Sequence, residues 1–101
     1  MYIVNLLFSQ NKEKAGEFMN AHNRWIKQGF EDKVFLLVGA IESGAGGAIL
    51  AHGESKAALE QRVSQDPFVV EKVVCAEIVE ITPKKSDSRL AFLVNSTSSN
   101  T

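Results

Sequence analysis

The chain has 101 residues, of which 45% are hydrophobic and 23% charged, with a formal net charge of −1 at pH 7. That length supports one domain with a single core, and the mixed charges leave no basic stripe for phosphates, which argues against nucleic acid. Apolar runs fall far short of the ~18 residues of a membrane span, and the lone Cys75 excludes an internal disulfide and lacks CxxC metal spacing.

The first segment, Tyr2–Phe8, is rich in β-branched and aromatic residues and reads as a strand. It has no basic leader and no small-residue cleavage site, so the expectation is a cytoplasmic protein and not a secreted one. Ser9 or Asn11 is placed to cap a helix that runs to about Gln28, with Gly29 as its terminator. Val34–Ile41 is a continuous apolar run, Glu42–Gly47 a glycine-rich turn, and Ala48–His52 a third strand. Ser55 caps a helix over Lys56–Gln65, which Pro67 stops. Val73–Thr82 is the fourth strand, closed by Pro83.

This order is a split βαβ pattern repeated once. It predicts an α+β, ferredoxin-like βαββαβ domain over residues 1–83, with an antiparallel four-stranded sheet and two helices on one face. Residues 84–101 form a C-terminal extension: a polar linker, an apolar segment Arg89–Val94, and a Ser/Thr/Asn-rich stretch Asn95–Thr101 expected to be mobile. The strands contain few polar residues, so both sheet faces read as buried. Two helices cover one face only. The other is expected to meet a second copy as a homodimer, with the Arg89–Val94 segment folding back or reaching across to the partner. On this reading a charge at Val4 would break the dimer.

Two polar residues stand where apolar ones are expected. Ala15, Phe18, Met19, His22, Trp25 and Ile26 fall within an arc of about 120° on the first helix, with His22 at its centre. Leu59, Val63 and Asp66 likewise point one carboxylate toward the packed side of the second helix. Groups so placed satisfy each other, serve a ligand, or cost stability. Histidine suits proton transfer near neutral pH, and a core histidine bonded to a backbone carbonyl is the bland alternative. Asp66 before Pro67 is equally a turn or cap residue. Trp25 and Phe18 either wall a pocket or fill the core, Ser43 lies where a pocket mouth would be, and Arg24 points to solvent. The Gly44–Gly47 turn has no lysine and no helix behind it, so it is not a phosphate loop. Cys75 is expected as a buried thiol and His52 as an exposed strand-end residue.

The chain resembles the YciI-like (YCII-related) proteins of the dimeric α/β-barrel group. The matching residues are His22 followed by Arg24 and Trp25, the passage LLVGAIESGAGGAIL with Gly39 and Gly46–Gly47, and the triplet Asp66-Pro67-Phe68 before the last strand. Where that family shows Gly-Pro after the second strand, this chain has Gly39-Ala40. The resemblance implies a pocket between helices and sheet in which His22 and Asp66 form an acid–base pair. Phe18 and Trp25 on the stripe, Ser43 in the loop and Phe68 beside Asp66 are the candidate substrate contacts. The resemblance further implies a lyase or isomerase acting on a small, cyclic or aromatic substrate, and with no metal-ligand cluster and no nucleotide fingerprint in the sequence the expected chemistry is proton transfer without metal or cofactor. The other class of function is a non-catalytic dimeric ligand-binding or structural domain, in which His22 and Asp66 are a structural pair.

Overall fold

The computed structural model describes residues 1–98, with side chains to residue 94. Its elements in order are β1 (Tyr2–Phe8), α1 (Ala15–Glu31), β2 (Phe35–Ala40), β3 (Gly46–Ala51), α2 (Lys56–Val63), α3 (Pro67–Val70), β4 (Val74–Glu80) and α4 (Ala91–Ser98), with single 3₁₀ turns before α1 and α4. The strands form one antiparallel sheet in the order β2-β3-β1-β4. This is the expected ferredoxin-like α+β arrangement, with α3 and α4 added.

Alternation along β1 decides which side chains meet the helices. Tyr2, Val4 and Leu6 are buried and pack with Ile49, Ala51, Leu59, Val63 and Phe68 in one core. Val4 is 0% exposed, so it belongs to the helix-facing side and not to the open face expected for it. The open face is the odd-numbered side of β1. There Leu37 pairs with Leu50, Leu50 with Ile3, and Ile3 with Val79, an apolar row across all four strands. Leu37 is 56% and Val79 42% exposed. Cys75 is exposed as well, which overturns the buried-thiol expectation; it sits on the same odd-numbered side, opposite Leu7.

Helix α1 does not stop at Gly29. It runs to Glu31, and Lys33 takes the left-handed conformation (φ 64°) that a glycine usually supplies. Lys33 N–H donates to the Phe30 carbonyl and Val34 N–H to that of Gly29, which closes a Schellman end. Gly29 serves packing instead: a Cβ there would lie 2.2 Å from the Phe35 ring. Neither Ser9 nor Asn11 caps α1; the Asn11 amide donates to the Glu71 carbonyl across the fold. Ser55 does cap α2, its hydroxyl accepting from Ala58 N–H. At the C-terminal end Leu93 is buried and the Phe92 ring meets His52 edge-on at 5.3 Å, so this segment folds back on its own chain. Of the stretch expected to be mobile, residues 95–98 belong to α4 and residues 99–101 lie outside the described residues.

Candidate functional site

Pro67 begins a helix and does not merely end one. Asp66 is the N-cap of α3 and Pro67 its first residue, the position where a missing N–H costs nothing. The Asp66 Oδ1 atom accepts from Phe68 N–H at 3.0 Å. The same oxygen lies 2.8 Å from His22 Nδ1. Asp66 is 0% and His22 9% exposed. One oxygen therefore makes both the cap bond and the contact with His22.

An ionised carboxylate only accepts hydrogen bonds. The hydrogen between the two groups accordingly sits on Nδ1, which leaves Nε2 as the ring nitrogen outside the pair. Two ring contacts fix the imidazole plane. Phe68 stacks on it at 4.0 Å with 3° between planes, and Trp25 lies at 6.0 Å with 25° between planes. Trp25 is itself held by a hydrogen bond from its indole N–H to the Arg62 carbonyl at 3.0 Å. Arg62 is the hub of an ion-pair cluster, with Glu54 at 2.9 Å and Asp32 at 2.8 Å. Hydrogen bonding to Glu54 raises the guanidinium pKa further above its already high value, and Arg62, then Gln28, hold the Asp32 carboxyl below the usual carboxylate range. Among the described residues the only buried side-chain polar atom without a partner is Asp66 Oδ2.

His22 lines a cavity of about 220 Å³ between α1 and the sheet. Helix α1 contributes Met19, His22, Asn23 and Ile26, α3 contributes Phe68, and the sheet contributes apolar side chains and the backbone of Gly39, Gly46 and Gly47. Gly46 is required there: its φ is 148°, and a Cβ would strike the Leu6 carbonyl. With Nδ1 engaged by Asp66, Nε2 is the nitrogen left for whatever occupies the cavity. Among the candidate residues, His22, Asp66 and Phe68 come together. Trp25 backs the imidazole, Phe18 packs against the core, and Ser43 is exposed in the β2–β3 turn and does not line the cavity. Asn23 lines the cavity and escaped the sequence reading, because it falls about 100° around the helix from His22 and outside the apolar stripe. A larger groove of about 570 Å³ between α2 and β4 contains neither His22 nor Asp66.

The chain shares the fold of a dehydrochlorinase. That protein, 5-chloro-2-hydroxyhydroquinone dehydrochlorinase from Burkholderia phenoliruptrix AC1100 in complex with 2,5-dihydroxybenzoquinone, superposes with a TM-score of 0.66. The match covers 83% of this chain and 96% of the other at 11% identity, and the neighbour has the dimeric α/β-barrel fold. No family model matches the chain. No curated protein matches it significantly either. Among the described residues no three His, Cys, Asp or Glu side chains converge as a metal site requires, and no helix is long and apolar enough to cross a membrane.

Proposed function

We propose that the protein is a cofactor-independent enzyme of the lyase or isomerase type, with His22 as general acid–base and Asp66 as its positioning residue, in a YciI-like dimeric α/β barrel. The observation that carries this reading is the 2.8 Å contact between His22 Nδ1 and Asp66 Oδ1 at the wall of an apolar cavity. Nε2 takes a proton from a C–H or O–H of a small ring substrate. Asp66 stabilises the imidazolium that forms, as a carboxylate does in other histidine sites. The proton then returns to another carbon or leaves with the departing group. The dehydrochlorinase of like fold, with its hydroquinone-type substrate, supports a ring in this cavity. The functional unit is a homodimer formed through the apolar row on the open sheet face, which is too exposed for a lone domain.

The test is proton exchange. Wild-type protein is incubated in D₂O with a panel of hydroquinones and their chlorinated forms, and loss of ring-proton signal and release of chloride are followed. Activity that falls about 10²–10⁴-fold in His22→Ala supports the general-base role. Activity retained in that variant removes His22 from the chemistry. No turnover of any panel member, with binding intact, favours the non-catalytic ligand-binding domain.

A further inference from the structure

We propose that Asn23 is the specificity-determining residue of the His22 cavity, its carboxamide hydrogen-bonding an oxygen of a neutral, single-ring substrate; this rests on the cavity being the substrate site. The cavity is lined by fourteen residues, and only two of them carry a side chain able to form strong hydrogen bonds: His22 and Asn23. They are consecutive on α1. Nδ1 of His22 is committed to Asp66. The Asn23 carboxamide makes no hydrogen bond within the described residues, so two donors and an acceptor are free at the wall.

Size and charge narrow what Asn23 meets. At about 220 Å³ the cavity lies below the roughly 300–1,000 Å³ of sites for drug-sized ligands, which fits one six-membered ring and not two. No Lys, Arg, Asp or Glu side chain lines it. A carboxylate or phosphate would enter without a counter-charge, and that is costly away from water. A neutral ring with a hydroxyl or carbonyl is matched instead: the ring meets Phe68, Ile26 and Met19, and the oxygen meets the one uncommitted amide. Asn23 is exposed in the single chain, so water can satisfy its amide when the analogue lacking the oxygen binds, and the discrimination expected is that of one hydrogen bond, about tenfold.

Phenol and toluene, which exchange a hydroxyl for a methyl, separate the polar contact from ring burial. Binding to isotope-labelled full-length protein is followed by NMR, reading the Asn23 side-chain amide and the methyl groups of Met19 and Ile49. Phenol is expected to bind more tightly than toluene and to shift the Asn23 amide, which toluene leaves in place. Asn23→Leu, close to isosteric, should weaken phenol about tenfold, the effect of one lost hydrogen bond, and leave toluene unchanged. Asn23→Gln should keep the preference for phenol. If Asn23→Leu alters both ligands alike, or neither, the assignment to Asn23 is wrong while the cavity stands. If neither ligand moves the Met19 and Ile49 methyl signals, the cavity is not a ring-binding site and both readings fall.

Discussion

The contact between His22 and Asp66 predicts a measurable coupling energy. Replacing Asp66 by Ala removes the N-cap of α3, worth about 1 kcal/mol, and a hydrogen bond to a charged acceptor, worth about 1.5–3 kcal/mol. It also removes Oδ2, which is buried without a partner, and returns about 1 kcal/mol of unmet desolvation. The net loss is then about 2 kcal/mol. Replacing His22 by Ala removes the same hydrogen bond and a stack on Phe68 worth about 0.5–1.5 kcal/mol, for a loss of about 3 kcal/mol. The hydrogen bond can be lost only once, so the double variant should cost about 3 kcal/mol and not 5. The coupling of about 2 kcal/mol is the informative quantity, because cap, stack and desolvation cancel from the cycle. Urea unfolding of the four proteins at one pH and one protein concentration gives it directly, the fixed concentration removing any contribution from association. A coupling below about 0.5 kcal/mol would refute the bond as an energetic link.

Other consequences can be checked separately. Gly29→Ala gains helix propensity of about 1 kcal/mol but drives a methyl group into the Phe35 ring, 2.2 Å away, so overpacking of about 1–3 kcal/mol should dominate and lower the thermal midpoint. Ile3→Lys on the open face should yield a folded monomer by light scattering, whereas Val4→Lys, in the core, should lose its cooperative melt; a dimer surviving Ile3→Lys excludes this face as the interface. The Asp32 carboxyl, held low by Arg62 and then Gln28, contributes stability above its unfolded value of about 3.9 and loses it as pH falls through the lower folded value. Asp32→Asn should therefore be slightly less stable than wild type at neutral pH, with the gap closing below about pH 4. A gap that persists in strong acid would assign the effect to something other than the ion pair.

What the sequence made legible follows from which signals are local. The strands and helices were readable because period two and period 3.6 are visible in single segments, and Tyr2–Phe8 is found at its predicted bounds. His22 was readable for the same reason, as a polar residue inside an apolar arc. Asp66 was placed inside for a mistaken reason: α2 ends at Val63, and the carboxylate is buried as the cap of a separate turn. The end of α1 was misread because a lysine occupies the left-handed position, and lysine gives no local signal for it. Val4 and Cys75 were misassigned because both sheet faces are apolar, and alternation cannot tell which face the helices take. Asn23 was invisible to any periodicity, since its place at the cavity depends on where the sheet's glycines leave space.

The double duty of Asp66 Oδ1 makes the two halves of the pair unequal under substitution. Position 66 answers to folding as well as to the contact with His22: without an acceptor there, the Phe68 amide is orphaned and the turn that shapes the cavity loosens. Position 22 answers to the pair and a ring stack alone. Substitution at position 22 therefore leaves the cap of α3 in place, whereas substitution at position 66 removes the cap and the pair together.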